Sequence, residues 1–261
     1  MTLTGYAPGM ICGKISAMLA LSQIYHELGI HTFLANRQRH SKEQYDANAI
    51  MKMLVYSRLL FPASKRSSYD GRERFFEKTD YSLDDTYRCL SFLNKHKENM
   101  QVWINDRIKK NYGRDTSLIY YDVTNYYFET DEQNDFLRKG VSKEHRPDPI
   151  VQMGLFMDNQ GIPITYELFP RNTNDCLTYR PNFGRIKKQF DLGRVISIAD
   201  KGMTTGDNIW YTINTPTHDG YVFSMSIRGA EKSIRDYVLK EDGYEWLGTC
   251  LLYTSDAADD K

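Results

Sequence analysis

The sequence lacks most of the features that would declare a function at once. Nowhere in its 261 residues is there an apolar run near the roughly 18 residues that a membrane span needs. The stretch from Met10 to Leu21 leans apolar, but it contains Lys14 and has no basic leader before it, which argues against a secretory signal. Cysteine is scarce, at four residues, and no two of them form a CxxC pair. With six scattered histidines, Cys12, Cys89, Cys176 and Cys250 make no metal-ligand spacing and read as reduced thiols of a cytoplasmic protein. Gly202-Met-Thr-Thr-Gly206 has neither glycine spacing that cradles a nucleotide phosphate. Serine and histidine never form a nucleophile elbow, and no repeat of 20–50 residues is visible.

Net charge is also absent, at 34 basic against 34 acidic side chains, yet that zero conceals a gradient. Residues 1–115 carry +6, residues 116–249 carry −4, and the last twelve carry −2. A basic front half suits a polyanion and an acidic back half suits cations, although two ordinary solvated surfaces would read the same way. The 41% hydrophobic content is enough for a core and excludes wholesale disorder.

The first 115 residues read as helical. Ser16–Leu28 is rich in helix formers and stops at Gly29, and Ala47–Phe61 carries apolar residues at helical spacing until Pro62. Ser82 is placed to cap a third helix with Asp84 and Asp85 in its first turn, and Gln101–Lys110 continues the pattern. From Thr116 the composition changes. Ser117–Phe128 is dense in β-branched and aromatic residues and predicts a strand. Ile150–Met157 and Ile162–Phe169 flank Asp158-Asn-Gln-Gly161 as a hairpin. A helix within Leu177–Phe190, starting near Pro181, a short strand Val195–Ala199, a helix Thr204–Ile213 and a strand Tyr221–Ile227 follow. This order predicts a mixed α/β sheet, the first three strands antiparallel and the fourth parallel.

Two aspartates stand out, Asp122 inside the first strand and Asp200 at the end of the fourth. A carboxylate in an apolar strand is costly unless it is paired, exposed or bound to a cation. Two on neighbouring strands could gather oxygens around a hard divalent cation such as Mg2+ and support phosphoryl transfer. Each could equally cap a turn, and Asp200-Lys-Gly suits one. Lys65 and Arg66 in the front half, within a basic set interleaved with Tyr45, Tyr56 and Tyr69, suit phosphate contacts, and a solvated helical face would read the same way. Lys139, Lys143 and Arg146 after the first strand and Arg171 after the third are further candidates.

Taken together, Tyr121-Asp-Val-Thr-Asn125, Gly140-Val-Ser-Lys-Glu-His-Arg146, Gly154–Pro163, Asn172-Thr-Asn174 and Ala199-Asp-Lys-Gly-Met203 resemble bacterial insertion-sequence transposases of the DDE type. Arg58–Lys65 also resembles the helical region before their catalytic core, and the similarity spans roughly residues 20–247. The resemblance implies a ribonuclease-H-like core in which three carboxylates bind two Mg2+ (or Mn2+) ions for cleavage and strand transfer at transposon ends. On it, Asp122 matches the first aspartate, bridging both ions, and Asp200 the second, ligating one, with 77 residues between them. Asn208 falls near the helix start that follows the second aspartate.

The family's later glutamate has no counterpart here, and Glu231, Glu241 and Glu245 do not match its motif. The last residues, 250–261, resemble the in-frame translation of a sequencing-library adaptor, so the natural reading frame is expected to be cut near residue 249, an ordinary acidic C-terminus being the alternative. The resulting expectation is a truncated chain: 1–115 helical and DNA-binding, 116–249 a partial catalytic core, 250–261 a non-native tail. Double-stranded DNA is the expected partner, with a homodimer at synapsis by analogy. A DNA-binding module without catalysis, or a carboxylate-pair hydrolase such as a glycosidase, are the alternatives.

Overall fold

A computed structural model describes residues 8–75, 80–128, 149–170 and 173–240. Helices α1 (Pro8–Glu27) and α2 (Ile30–Gln38) are joined through Gly29, whose φ of 64° is the left-handed conformation that a glycine adopts without strain. α3 (Ala47–Leu60) is capped by Asp46, whose carboxylate accepts from the backbone N–H groups of Asn48 and Ala49. A short α4 (Lys65–Asp70) follows Ser64. α5 (Leu83–Lys95) starts on a reciprocal box in which Ser82 and Asp85 satisfy each other's backbone donors. α6 (Lys97–Tyr112) ends at Gly113.

These helices bury one apolar cluster that includes Leu34, Ile50, Met53, Tyr56, Phe75, Cys89 and Phe92. Burial, reinforced by Glu43 and Asp46, pushes the Cys89 thiol up to about 12, so it stays protonated and inert. Tyr45 and Tyr56 also lie in this core, which corrects the reading of them as aromatic partners for a nucleic acid. Their rings are large apolar bodies, and packing them inside outweighs exposing them beside the basic side chains.

Arg114, just after α6, reaches across to the sheet. It forms a buried ion pair with Asp158 at 3.4 Å and donates to the Pro163 carbonyl. Burial draws its guanidinium below the ordinary value even though Asp158 opposes the shift.

Strands β1 (Leu118–Tyr127), β2 (Ile150–Met157) and β3 (Pro163–Pro170) form an antiparallel meander. After α7 (Asp175–Gln189) the chain returns as β4 (Ile196–Ala199), parallel to β1. After α8 (Gly206–Ile213) it adds β5 (Gly220–Phe223), parallel to β4. The sheet order is β3-β2-β1-β4-β5. Antiparallel meander, then two parallel additions on the other edge, each reached through a helix, is the ribonuclease-H-like arrangement. A last helix, α9 (Lys232–Val238), follows β5.

Three expectations need correction. α7 runs through Pro181 instead of starting there. The lost N–H bond is tolerated because the surrounding turns bury Thr178, Tyr179, Asn182, Phe183 and Ile186. β5 stops at Phe223, four residues short of the expected end, because its neighbour β4 ends at Ala199. α2, α4 and α9, too short or too weakly periodic to stand out, were not expected from the pattern.

The sheet core lies on one face. Ile119 and Tyr121 of β1 and Phe156 of β2 pack against Tyr179, Phe183 and Ile186 of α7, with the Tyr121 and Phe156 rings stacked at 4.4 Å. The Tyr121 hydroxyl lies 2.7 Å from the Thr178 hydroxyl. This packing explains Gly154, the next position along β2, where a Cβ would run into the Tyr121 hydroxyl and ring. Gly154→Ala is expected to destabilise the fold by about 1–3 kcal/mol, the cost of overpacking a filled core. A urea melt measures it, and unchanged stability would show that the ring can retreat.

Candidate functional site

The register of the parallel strands decides where the two aspartates meet. Tyr121 of β1 pairs with Ala199 of β4, and Ala199 pairs with Phe223 of β5. Tyr121 and Ala199 are both buried on the α7 face. One residue further, alternation turns Asp122 and Asp200 out of that face, and both are exposed. Asp200 keeps an extended backbone (φ −73°, ψ 168°) as it leaves β4, so the row continues across a strand spacing of about 4.8 Å. Asp122, midway along β1, thus falls in one row with Asp200 and Ser224, the residues that directly follow β4 and β5. Carboxyl ends of parallel strands are where open α/β sheets hold ligands.

Each carboxylate has local partners. The Thr124 hydroxyl donates to Asp122 Oδ2 at 3.4 Å, a long bond between alternate residues of one strand. Asp200 Oδ1 accepts from its neighbour's N–H, that of Lys201, at 2.6 Å and from the Ser224 hydroxyl at 2.9 Å. Asp200 therefore does cap a turn, as Asp-Lys-Gly suggested, while standing beside Asp122. The local chemistry is all oxygen, from carboxylates and hydroxyls, which is what Mg2+ or Mn2+ selects. Among the described residues, no group of three His, Cys, Asp or Glu side chains is placed to hold a metal ion.

The other sequence candidates separate. Lys65 and Arg66 are exposed in the first turn of α4. Several front-half arginines are engaged by rings: Arg37 lies over Phe33, Arg72 over Tyr69 at 4.0 Å and Arg74 over Phe61. Lys139, Lys143, Arg146 and Arg171 lie outside the described residues, as do Glu241, Glu245 and the tail 250–261. Asn208 is fully buried, and its amide donates to the carbonyls of Cys176 and Met203. It anchors α8 beneath the Asp200 turn and does not reach the aspartate row.

Sequence reasoning missed Ser224, since nothing in Phe-Ser-Met-Ser marks one serine as the neighbour of Asp200. It also missed Asp219, the one fully enclosed carboxylate of the loop before β5. Asp219 accepts from Lys187, the Val195 N–H, Thr215 and Thr217 at 2.8–2.9 Å. Burial by itself would raise that carboxyl, but these donors outweigh it and hold it below the ordinary value.

No protein-family model matches the sequence, and no curated protein does. Among solved structures, the chain is similar to a piggyBac transposase in a synaptic complex with hairpin DNA. The identity is 11% and the TM-score 0.46, covering 85% of this chain. This chain spans about half of that one, 52%. It is also similar to a Mos1 transposase in a pre-cleavage transpososome, at 10% identity and a TM-score of 0.31, over 71% of this chain and 62% of the other. A Mos1 mariner paired-end complex with Mn matches at 11% identity and a TM-score of 0.28, over 76% and 71%. Among the described residues, no helix is long and apolar enough to cross a membrane.

Proposed function

We propose that this chain is part of a DNA transposase of the DDE type, with residues 1–115 binding DNA and residues 116–249 forming an incomplete catalytic core. The observation that carries the reading is the row just described: two exposed carboxylates with 77 residues between them, one within β1 and one directly after the parallel neighbour β4. Asp122 and Asp200 are the residues that would hold a divalent cation, Mg2+ or Mn2+. Such a cation, when bound, lowers the pKa of an attacking water or hydroxyl and stabilises charge on the leaving oxygen. The chain's own part is to present two fixed carboxylates on a rigid sheet rim and to bind the phosphate backbone beside them. That binding is assigned to Lys65 and Arg66, and to Lys139, Lys143, Arg146 and Arg171 on sequence grounds.

The third carboxylate of the family does not join this pair among the described residues. Cleavage on this reading requires a third carboxylate beside Asp122 and Asp200. A glycosidase reading is less favoured, because an acid and base must face each other across a sugar-sized cleft and these two aspartates are exposed on the same face of neighbouring strands.

A gel-shift titration with a fluorescent DNA duplex tests the reading. Contacts to six or more phosphates are expected to weaken binding by about 10³-fold between 50 and 200 mM salt. Absence of duplex binding at 50 mM salt, or binding indifferent to salt, would overturn it. Binding without nicking of supercoiled plasmid in Mn2+ is the result expected of this chain.

A further inference from the structure

Ser224 spends all three of its hydrogen-bonding groups on the end of β4 and the turn that follows it. Its backbone N–H donates to the Ala199 carbonyl at 3.2 Å, extending the β4–β5 ladder by one rung. Its carbonyl accepts from the Thr204 hydroxyl at 2.6 Å. Its own hydroxyl donates to Asp200 Oδ1 at 2.9 Å. The turn it holds, residues 200–204, is short and otherwise local: Asp200 caps a single turn of 3-10 helix, Lys201–Met203, with only Met203 buried.

We infer that Ser224 is the positioning residue for the Asp200 carboxylate in cation binding, an inference that rests on the reading of Asp122 and Asp200 given above. An aspartate at a strand end has two free torsions, and a lone carboxylate there would sample several directions. The Lys201 N–H meets Oδ1 from within the turn and the Ser224 hydroxyl meets the same oxygen from the neighbouring strand. Two donors from different elements fix the carboxylate plane, leaving one orientation beside Asp122. Outer groups that orient a ligating carboxylate in this way commonly set metal affinity by 10- to 100-fold.

The arrangement makes a clean test, because two of the three bonds belong to the Ser224 backbone and survive substitution. Free Mn2+ is titrated against the full chain and followed by its electron paramagnetic resonance signal, with thermal melting recorded alongside. Asp200→Asn is expected to remove the binding. Ser224→Ala is expected to weaken it about tenfold with melting unchanged, and Ser224→Thr, which keeps the hydroxyl, to restore it within about twofold. If Asp200→Asn removes binding while Ser224→Ala binds as the parent does, the positioning role is overturned and the aspartate reading stands. If Ser224→Ala loses melting temperature in step with affinity, or Ser224→Thr fails to rescue, the serine is merely structural and the inference falls. Unchanged binding in Asp200→Asn, or no binding by the parent chain, overturns the aspartate reading itself and this inference with it.

Discussion

On the proposed transposase reading, Asp122→Asn and Asp200→Asn are each expected to eliminate strand cleavage and transfer while leaving duplex affinity within about threefold. Asparagine keeps the size and one oxygen of the side chain but removes the charge that offsets a divalent cation. Loss of the several kcal/mol of charge stabilisation that a bound metal provides corresponds to about 10³-fold or more in rate. Both side chains are exposed, so neither change opens a cavity or strands a buried donor, and melting should be nearly unaffected. Strand-transfer assays on the two variants, read beside gel shifts, separate the roles. Retained transfer in either variant would refute the metal role of that aspartate. Parallel loss of DNA affinity would mean that the carboxylates help build the DNA surface and do not act in the chemistry alone.

A loss of about 3–5 kcal/mol in stability is expected from Asp219→Ala. Asp219 ties three places together: Lys187 in the last turn of α7, the Val195 N–H at the entry to β4, and the threonines of the loop before β5. The Lys187 and Asp219 side chains are 13% and 0% exposed, so removing the carboxylate leaves a largely desolvated ammonium and a buried N–H without their partner.

The same network gives a pH dependence of definite sign. The folded carboxyl is held below its ordinary value of about 3.9, so its contribution is complete above that pH and disappears as pH falls through the folded value. Melting temperatures should therefore fall on acidification below about pH 4, and Asp219→Asn should flatten that decline. An equally steep acid limb in the variant would assign acid lability to other carboxylates.

Local signals were read correctly where the chemistry is itself local. Ser82 and Asp85 lie three residues apart, so a cap and its reciprocal bond follow from spacing alone. The hairpin around Asp158-Asn-Gln-Gly161 and the strand ending at Ala199 are marked by turn residues and apolar runs in the same way. Pro181 misled because its cost is local while the gain that offsets it, five buried side chains on one helix face, comes from the sheet. Tyr45 and Tyr56 misled for a related reason: their spacing among basic residues says nothing about which side chains turn inward until the helices are packed together.

What the amino-acid order determined unaided was the order of the strands and the longer helices, the basic front and acidic back, and two aspartates suspect because carboxylates are costly in apolar strands. Only the tertiary structure decided that Tyr121 pairs with Ala199 and Ala199 with Phe223. That register sets Asp122, Asp200 and Ser224 in one line. A slip by one residue would have sent an aspartate to the opposite face. Register between strands separated by a helix is fixed by how Tyr121, Phe156, Tyr179 and Phe183 fill one core. Such packing is a property of the whole assembly of side chains, so no local stretch of sequence contains it.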